Sequence, residues 1–582
     1  MIDDSQDEDE TPEGRAPHPA PADAGQRHEK AFPALSAEEI QKVRSFGTVE
    51  RHPAGTALFE TGRHGPGMFV VLSGRVAITQ RDGLGHVAPV LEQGPGQFLA
   101  EIGQLSGQPA LVDGHAVDDV EAILVRPDDI RSLIVAEAEL GEKITRALIL
   151  RRTSLIGRGA GGPILIGRAG SRDMVRLQTF LSRNAWPHSI IDPEEDHEGL
   201  ALLVHYRVEN PDNPLVVCPD GWLLRNPGES DLATQLGMLA HSTDRPVFDV
   251  AIVGSGPAGL SAAVYAASEG LAVVVLDSLS FGGQAGASMR IENYLGFPAG
   301  IAGQELADRA HVQAQKFGAE MLIPTTVNGI DCSRLNGSLV LDLDLGPVVE
   351  AKAVVVASGA RYRRPGIPGL RRFEGRGVWY WASPIEAKLC SNKEVIVVGG
   401  GNSAGQAVVY LARHAGSVRM MVRGKDLAAS MSKYLIDRIG ATRNIRVMME
   451  TEIVGVDGEA DGDLARVTWR DRGNGVEETG AVENVFIFAG AEPATAWLRG
   501  CGVELDRAGF IVTGGHPASP SGEPRSPLET AVPGLFAIGA VRAGSVKRVG
   551  SAIGEGSQVV AAIHQFLAAE VEAAAKRAEA AE

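Results

Sequence analysis

The chain has 582 residues, a formal net charge of −18 and an apolar content of 44%, and this length exceeds what one hydrophobic core holds, so several domains are expected. The acidic balance argues against a nucleic-acid partner, because phosphate binding needs a basic face. No apolar run reaches the roughly 20 residues that span a bilayer, and the first residues lack the pattern of a secretion signal. We therefore expect a cytoplasmic protein with no membrane segment.

The sequence of the N-terminal part of the chain predicts a disordered tail, a β domain and a linker, in that order. Residues 1–30 are acidic and rich in Pro and Ala, which predicts disorder. Residues 31–155 carry short alternating apolar stretches between glycines, such as "GMFVVLSGRVAITQ", which predict a β jelly roll with flanking helices. The glycine-rich segment "IGRGAGGP" that follows predicts a flexible linker.

A small α/β domain is predicted over residues 163–242. A strand at "ILIG" is followed by a helix at "DMVRLQTFLSRN" and by strands at "HSIID" and "PLVVC". At the other end of the chain, residues 568–582 predict a solvated helix that frays.

The first nucleotide site is predicted within "FDVAIVGSGPAGLSAAVYAASEGLAVVVLDS", a strand, a glycine turn, a helix and a second strand. The glycines have the G-x-G-x-x-G spacing, which permits a tight turn, an approach to a pyrophosphate and close helix packing. The helix N-terminus faces the anion, and an acid at the end of the second strand can bind a ribose diol. The predicted site residues are Gly254, Gly256, Pro257, Ala258, Gly259 and Asp277.

The second site lies in "KEVIVVGGGNSAGQAVVYLARHAGSVRMMVRGKD" and repeats this pattern. Here Arg423 and Lys425 stand where the first site has its acid, and a guanidinium pairs with a ribose 2′-phosphate. This favours NADPH over NADH, although Arg423 could also be a solvated charge at a strand end. The remaining predicted site residues are Gly399, Gly401, Asn402, Ser403 and Ala404.

Two such sites in one unit imply hydride transfer from a nicotinamide to a flavin, with FAD and NADPH as cofactors. Three further motifs are "GGQAGASMRIENYLGFPAGIAGQEL", "VVVASGARYRRPGIPG" and "VPGLFAIGAVRAGSVKRVGSAIGEGSQVVAAI". With these motifs, residues 247–567 resemble the low-molecular-weight thioredoxin reductases.

The resemblance implies an FAD domain in two pieces, 247–363 and 488–567, with an NADPH domain, 364–487, inserted between them. A homodimer is also expected. By carry-over from that family, Gln284 and Asn293 contact the flavin, and the helix that begins near Arg548 and Val549 points its N-terminus at the isoalloxazine.

The sequence departs from that family at two places. Where the family carries a redox-active C-A-T-C, this chain has Trp381-Ala382-Ser383-Pro384. Where the family carries an aspartate for the FAD ribitol, this chain has Ala540, and the loss of such a bond costs about 1.5–3 kcal/mol.

Cysteine and histidine spacing offers no replacement for the missing dithiol and no metal site. The cysteines have no C-x-x-C pair, and the fourteen histidines show no paired-ligand spacing. We expect inert, half-buried thiols and no metal. The four cysteines are Cys218, Cys332, Cys390 and Cys501.

The two N-terminal domains also show resemblances. "FLAEIGQLSGQPALVDGHA" is similar to the phosphate cassette of cyclic-nucleotide-binding domains, with Glu101 as the ribose-binding acid but Ala110 in place of the phosphate-binding arginine. Cyclic-nucleotide binding is therefore not expected, and a dimerisation or interaction role is the alternative. Residues 163–242 resemble the thioredoxin or glutaredoxin fold, with Asn213-Pro214 as its cis-proline, but "GRAGSRDM" has no cysteine at the active-site position.

The predicted fold class is therefore multidomain: an N-terminal β jelly roll, a small thioredoxin-like α/β domain, and a C-terminal α/β flavoprotein with two dinucleotide-binding domains. The predicted function is an NADPH-dependent FAD oxidoreductase that reduces oxygen, a quinone, a redox protein or a small substrate instead of an internal disulfide. The flavin itself is the reactive group, so no side chain is assigned as catalytic. Two alternatives stay open: a thioredoxin-disulfide reductase that uses non-standard cysteines, and a non-enzymatic regulator that senses nucleotides.

Overall fold

The structure, a computed structural model, describes residues 29–100, 108–208, 210–239, 247–334, 337–459, 462–514 and 526–581. The tail that was predicted to be disordered lies almost wholly outside these residues. Within them, helices and strands form three units along the chain. None of the helices in these ranges combines the length and the apolar character needed to cross a lipid bilayer.

The first unit is a pair of antiparallel sheets followed by two helices. Its elements are α1 (Ala37–Arg44), β1 (Thr48–His52), β2 (Ala57–Phe59), β3 (Met68–Ser73), β4 (Val76–Arg81), β5 (Val87–Gln93), β6 (Phe98–Leu99), β7 (Asp113–Ala116), β8 (Val120–Val125), α2 (Pro127–Ala136) and α3 (Ala138–Gly157). The strand orders are β1-β8-β3-β6 and β2-β7-β4-β5. Along β4, Val76 and Ile78 alternate with less buried neighbours, as expected of a strand with one face on a core. The prediction of an N-terminal β-rich domain is confirmed.

The segment predicted as a flexible linker is instead tightly packed, so that prediction is wrong. A Cβ on Gly161 would lie 1.8 Å from the Leu111 carbonyl oxygen, and one on Gly162 would lie 1.7 Å from the Pro187 carbonyl oxygen. The glycines here allow the backbone to pass close to both neighbouring units, because they carry no Cβ.

The second unit is a four-stranded mixed sheet with three helices. Its elements are β9 (Ile164–Ile166), α4 (Arg172–Arg183), β10 (Ser189–Ile191), α5 (His197–His205), β11 (Leu215–Val217), β12 (Leu223–Arg225) and α6 (Glu229–Gln235). The strand order is β10-β9-β11-β12, with β10 parallel to β9 and with β11 and β12 antiparallel to their neighbours. Helix α4 begins where Ser171 accepts a hydrogen bond from the Met174 amide, and it buries Met174, Leu177 and Leu181.

The proline expected to be cis in this unit is trans. Among the described residues, the cis bond is Ile323–Pro324, so the Asn213–Pro214 bond keeps the trans form. The trans form is intrinsically favoured before proline by about 0.5–1 kcal/mol. The prediction of a cis-proline from the resemblance was therefore wrong at this position.

The third unit begins with a sheet that we call the first nucleotide sheet. Its strands are β13 (Phe248–Val253), β14 (Val273–Leu276), β15 (Glu320–Leu322), β16 (Val327–Asp331), β17 (Leu339–Leu343), β18 (Val349–Val356) and β29 (Leu535–Ala537). Its helices are α7 (Pro257–Ser268), α8 (Gly283–Gly286), α9 (Gly303–Lys316) and α13 (Val549–Ala581). The strand order is β15-β14-β13-β18-β17-β16, and β29 pairs with β18. Strands β13 and β14 are apolar almost throughout because both faces of the parallel part of the sheet are buried. Helices α7, α9 and α13 pack on one face, and β16, β17 and the loops around Leu498 and Ile511 cover the other.

A second sheet is inserted between β18 and β29. This second nucleotide sheet has the order β20-β27-β21-β22-β23, and it is all parallel. Its elements and those beside it are β20 (Val378–Trp379), α10 (Pro384–Leu389), β21 (Glu394–Val398), α11 (Asn402–Leu411), β22 (Ser417–Met421), α12 (Lys433–Ala441), β23 (Ile445–Met448), β24 (Thr451–Gly458), β25 (Leu464–Asp471), β26 (Glu477–Ala481) and β27 (Asn484–Ile487). An antiparallel ribbon of β19 (Ala360–Tyr362) and β28 (Ala491–Pro493) carries the chain between the two sheets.

Helix α4 of the second unit packs against both nucleotide sheets. Near its start, Val175 is 3% exposed and belongs to the apolar cluster that includes Trp379 and Cys390 of the second nucleotide sheet. Just past its end, the Asn184 side-chain amide donates to the Leu279 carbonyl oxygen of the first nucleotide sheet at 3.0 Å. The second unit therefore connects the two sheets independently of the ribbon.

Two of the four cysteines form a disulfide, which corrects the expectation of four inert thiols. Cys332 and Cys501 are bonded, with a Cα–Cα distance of 5.5 Å and a sequence separation of 169 residues. That separation explains why no local spacing pattern could reveal the pair. Cys218 and Cys390 remain free and are buried.

The disulfide lies at the edge of the first nucleotide sheet that is remote from its glycine turn. Asp331, the last residue of β16, pairs with Val340, which pairs with Glu350, and Ala351 pairs with Phe248. Cys332 is therefore nearly level with the first residue of β13, whereas the glycine turn follows its last residue. Strands rise about 3.3 Å per residue, so the two features are about 16 Å apart along the strand direction.

We expect the Cys332–Cys501 bond to stabilise the fold. Cys501→Ser should lower the free energy of unfolding by about 2–4 kcal/mol, because the bond reduces the conformational entropy of the unfolded chain. Thermal unfolding measured with and without dithiothreitol checks this. Reductant should lower the midpoint of the parent and of the control Cys390→Ser but leave Cys501→Ser unchanged. An equal shift in all three proteins would refute the stabilising role.

Candidate functional site

The first glycine turn connects β13 to α7. Gly254 has φ of 111°, and a Cβ there would lie 2.3 Å from the Ala357 carbonyl oxygen, so only glycine fits. A Cβ on Gly259 would lie 1.8 Å from the Gly254 carbonyl oxygen, which is the close packing of helix on strand that the spacing predicts. A Cβ on Gly256 would meet only the Gly283 Cα, at 3.9 Å. The turn is thus tight on its inner side and open at Gly256, where a pyrophosphate can approach.

Asp277 follows β14 and faces the same turn. Its carboxylate accepts hydrogen bonds from the Ser255 amide and the Ser255 hydroxyl, both at 2.8 Å, and from the Leu279 amide at 3.2 Å. These bonds hold the carboxylate beside the turn while leaving it half-buried. The position is suited to a ribose diol at the end of the dinucleotide.

A second helix N-terminus converges on this turn. Helix α13 crosses α7 closely, since a Cβ on Gly556 would lie 2.5 Å from the Ala258 carbonyl oxygen, and the Ser261 hydroxyl donates to the Ile553 carbonyl at 2.9 Å. Farther along, His564 of α13 pairs with Glu269 just past the end of α7 at 2.8 Å, so the two helices run in the same direction. The first turn of α13, at Arg548 and Val549, therefore lies on the same side as Pro257 at the start of α7. Two positive helix ends suit an elongated anionic cofactor.

Ala540 lies beside Gly539, whose added Cβ would be 2.9 Å from the Ala258 Cβ. The Ala540 carbonyl accepts from the Lys547 ammonium at 2.7 Å. The Gly539 amide donates to Glu555 at 2.6 Å, and the same carboxylate pairs with Arg542 at 2.5 Å. A carboxylate from α13 therefore stands next to Ala540, although its oxygens are already engaged.

Two residues carried over from the family have different surroundings. The Gln284 side-chain amide donates to the Ala360 carbonyl, which places it where the chain enters the ribbon between the sheets. Asn293 is exposed, next to Glu292, which pairs with Arg438 of α12 at 2.6 Å. Gln284 is thus brought to the junction of the two sheets, and Asn293 lies at the rim between them.

The second glycine turn, between β21 and α11, repeats the geometry of the first. Gly399 has φ of 140°, and its added Cβ would meet the Phe488 carbonyl oxygen at 2.7 Å and the Ala404 Cβ at 3.1 Å. A Cβ on Gly401 would meet nothing within 4 Å. This open side again offers room for a pyrophosphate at a helix N-terminus.

The side chains after this turn join the helix to its surroundings. The Asn402 side-chain Oδ1 accepts a hydrogen bond from the Ser432 amide at 2.7 Å, and the Ser403 side chain lies close to Tyr362 of the ribbon. Burial raises the pKa of Tyr362. The helix N-terminus is therefore connected to the strand that leads from the first sheet.

Arg423 and Lys425 lie just after β22, exposed, at the position that corresponds to Asp277. The Arg423 carbonyl accepts from Arg472 at 3.1 Å. Within the described ranges, neither side chain forms an ion pair with a carboxylate. Both cations are thus available to an anionic ligand at the strand end.

The residues in place of the dithiol cap a helix. Ser383 accepts a hydrogen bond from the Ile385 amide at 3.2 Å, and the fully buried Glu386 accepts from the Ser383 amide at 2.8 Å. The Trp381 indole N–H donates to the same carboxylate at 3.0 Å. These are the reciprocal bonds of a capping box at the start of α10. The segment Trp381–Pro384 therefore caps α10 and contains no sulfur.

The free thiols are poorly suited to redox chemistry. Burial raises the pKa of the Cys390 thiol to about 12, and it does the same for Cys218. Only the thiolate attacks a disulfide, so thiols with such pKa values are unreactive near neutral pH.

Two residues of this region were not predicted, Glu386 and Arg183. The sequence Ser383-Pro384-Ile385-Glu386 has the capping-box spacing, so Glu386 could have been found. Arg183 ends α4 of the second unit, and its Nη2 donates to the Gly283 carbonyl at 2.8 Å. No local pattern connects it to a site whose motifs begin seventy residues later.

The N-terminal unit also has a predicted ligand position. Glu101 lies outside the described residues. Ala110 is buried, and its amide donates to the Arg63 carbonyl at 2.9 Å. Its neighbour Pro109 packs on the second unit, since a Cβ on Gly237 would lie 3.0 Å from the Pro109 ring.

The sequence matches two known families. The profile of the family described as pyridine nucleotide-disulphide oxidoreductase matches residues 248–556, just over half of the chain. The profile of the cyclic nucleotide-binding domain matches residues 49–137. The predicted resemblances of the C-terminal and N-terminal parts are confirmed, whereas the thioredoxin-like assignment of the second unit stays a prediction.

Individual relatives agree with the first match. A thioredoxin reductase of Mycolicibacterium smegmatis is 34% identical over 298 residues, 51% of this chain and 89% of that protein. One of Streptomyces clavuligerus is 34% identical over 325 residues, 56% of this chain and 95% of that protein. The crystal structure of T. acidophilum thioredoxin reductase has a TM-score of 0.50 at 30% identity and covers 55% of this chain and 99% of its own. The chain therefore belongs to the pyridine nucleotide-disulphide oxidoreductase family, as a thioredoxin reductase-like, FAD-dependent NAD(P)H oxidoreductase with an N-terminal cyclic nucleotide-binding domain.

Proposed function

We propose that this oxidoreductase takes a hydride from NADPH and passes the electrons from its flavin to an acceptor other than an internal disulfide. The observation that carries the proposal is the segment Trp381–Pro384, which occupies the dithiol position with a helix cap. No residue of this segment can carry electrons. The acceptor is then oxygen, a quinone, a redox protein or a small substrate that reaches the flavin directly.

The two glycine turns are assigned to the two cofactors. FAD is placed at the turn of Gly254 and Gly256, with Asp277 on its adenosine ribose and the N-termini of α7 and α13 beside it. NADPH is placed at the turn of Gly399 and Gly401. Nicotinamide, when bound, supplies the hydride that the flavin accepts. The chain itself binds and orients the cofactors, and Ser403 of the second turn lies close to Tyr362 of the ribbon.

The second unit of the chain covers the dithiol position, and this supports direct electron transfer from the flavin to its acceptor. Val175 of α4 shares one buried cluster with Ala382 and Cys390. A Cβ on Gly170, in the loop before α4, would lie 3.5 Å from Leu389 of α10. The chain's own second unit thus occupies this face, which an external thioredoxin would have to reach.

The alternative of a thioredoxin-disulfide reductase with non-standard cysteines has weaker support. The Cys332–Cys501 bond is at the far edge of the first nucleotide sheet. Cys218 and Cys390 are fully buried and belong to different apolar clusters, so they do not form a pair.

We further propose that residues 163–242 have the thioredoxin fold. The order β10-β9-β11-β12, with one parallel pair and two antiparallel pairs, supports this. So does the position of α4 directly after β9, where that fold carries its cysteines. The boundaries 247–363, 364–487 and 488–567 are likewise proposed, and the ribbon strands β19 and β28 fall at these boundaries.

The N-terminal unit is proposed to act in assembly, as part of a homodimer or toward a partner, without binding a cyclic nucleotide. Ala110 provides no charge for a cyclic phosphate, and its backbone is hydrogen-bonded to Gly62 and Arg63 of the same unit. Arg63, whose carbonyl binds the Ala110 amide, has its guanidinium paired with Glu60 at 2.8 Å.

The cofactor preference should depend on Arg423. Arg423→Ala should raise the KM for NADPH about tenfold, because a charge-assisted pair with the 2′-phosphate contributes roughly 1.5 kcal/mol or more. The KM for NADH should stay within about twofold. Steady-state kinetics with both cofactors measures this, with Arg413→Ala as an exposed control on another face. Equal losses with NADPH and NADH would mean that Arg423 is structural.

The full-length protein should not bind cAMP at micromolar concentrations. A phosphate without its cation loses charge-assisted bonds of about 1.5–3 kcal/mol. Isothermal calorimetry with cAMP and cGMP tests this, with a cyclic nucleotide-binding protein of known affinity as the positive control. Tight binding would show that another cation serves the phosphate.

Electron transfer should need neither free thiol. NADPH should bleach the bound flavin, and the NADPH-driven reduction of a quinone or oxygen should stay within about twofold in the variant Cys218→Ser/Cys390→Ser, since removing an inert thiol costs little. The parent should reduce thioredoxin and aromatic disulfides negligibly, because no reactive sulfur adjoins the flavin.

A dithiol-containing thioredoxin reductase, assayed on the same thioredoxin, serves as the control. The proposal would be contradicted by rapid thioredoxin turnover in the parent, or by loss of most of the quinone-reducing activity in the double variant. Failure of NADPH to reduce the flavin would instead favour the nucleotide-sensing regulator.

A further inference from the structure

A half-buried cation of the second unit lies beside the first nucleotide turn. Arg183 is the last residue of α4, and its Nη2 donates to the Gly283 carbonyl at 2.8 Å. Its Nε is buried and has no hydrogen-bond partner among the described residues. Burial lowers the pKa of Arg183, and the carboxylates of Asp277 and Glu386 oppose that shift.

Neither neighbouring carboxylate is bonded to this guanidinium. The oxygens of Asp277 are taken by Ser255 and by the Leu279 amide. The oxygens of Glu386 are taken by Trp381 and Ser383. Among the described residues this half-buried guanidinium pairs with no anion, which is costly in free energy, so a further negative group beside it would be stabilising.

The carbonyl that Arg183 binds belongs to a residue in contact with the diphosphate turn. A Cβ on Gly283 would lie 3.1 Å from the Gly256 Cα, and the Gly282 amide donates to the Ser255 carbonyl at 2.8 Å. Residues 282 and 283 thus lie directly on the turn whose open side faces the incoming diphosphate.

The first nucleotide motif has no cation of its own. Between Arg245 and Arg290 the sequence contains neither Lys nor Arg, although this stretch includes the glycine turn and Asp277. A diphosphate at that turn would meet two helix N-termini and one carboxylate, but no positive side chain from these residues. Arg183 is a half-buried cation that the second unit brings to this place.

We propose that Arg183, supplied by the second unit, is a binding residue for the diphosphate of FAD. A guanidinium offers charge and directed donors to phosphate oxygens, and its unpartnered Nε leaves a donor free for this. The proposal rests on FAD as the cofactor of the first turn. The second unit is then part of the FAD site, so the affinity for FAD depends on the position that the C-terminal end of α4 takes beside the first turn.

Ligand titrations of apoprotein test this proposal directly. The probes are FAD, ADP and adenosine, of which only the first two carry the diphosphate. Arg183→Met should raise the Kd of FAD and of ADP about tenfold or more, with adenosine unchanged, since a charge-assisted bond is lost. Arg183→Lys should restore most of the affinity for both.

A matched control separates charge from docking of the helix. Asn184→Ala removes the neighbouring hydrogen bond to Leu279 but no charge, and it should change either Kd less than threefold. Arg183→Gln provides a second neutral variant if Arg183→Met does not fold, as judged by its circular dichroism. Three results would each overturn the proposal. The first is an unchanged Kd in the neutral variants, the second is a loss of affinity for FAD but not for ADP, and the third is an equal loss of affinity in Asn184→Ala. None of these outcomes depends on the acceptor, so they are distinguishable from a failure of the proposed electron route.

Discussion

A twelve-residue helix, α4, is buried at both of its ends against sheets that each carry a dinucleotide turn. Near its start, Val175 packs among side chains of the second nucleotide sheet. Just past its last residue, Asn184 is hydrogen-bonded to Leu279 of the first nucleotide sheet. An α-helix rises 1.5 Å per residue and is stiff over this length, so the nine steps from Val175 to Asn184 hold the two attachment points about 14 Å apart. Any change in the separation of the two sheets must break one of these contacts.

With the thioredoxin fold proposed for the second unit, the two positions at which dithiol chemistry is missing lie against each other. The loop before α4 has no cysteine, and it meets α10, whose first turn holds Ser383 and Glu386 where the reductase family has its disulfide. A buried capping box and an apolar contact across the interface take the place of two reactive sulfurs. Both losses therefore belong to one interface, in which residues that would exchange electrons in other proteins serve packing instead.

The features that could be predicted from the sequence are local ones. The glycine turns at Gly254 and Gly399 were predictable because strand, turn and helix follow one another within about thirty residues, and each glycine has a steric reason to be there. Asp277 and Arg423 were predictable in position because parallel strands end at the same edge of a sheet. The role of Glu386 is predictable in the same way, from the capping-box spacing of Ser383 and Glu386.

What could not be predicted depends on contacts between distant parts of the chain. Cys332 and Cys501 are brought together by pairing of strands and by packing across an inserted domain, so their sequence environment contains no sign of the bond. The glycines at 161 and 162 predict a linker by composition alone, because composition does not distinguish a mobile backbone from a closely packed one. Arg183 faces the first turn only because a separate unit docks there.

The disulfide has a topological consequence for the inserted domain. Cys332 precedes the second nucleotide sheet and Cys501 follows it, so the whole insertion lies within one covalent ring of the polypeptide. A protease that cuts a surface loop anywhere inside this ring produces two chains that remain a single covalent molecule. The first nucleotide sheet would keep both of its sequence pieces after such a cut, and only a reductant would release them from each other.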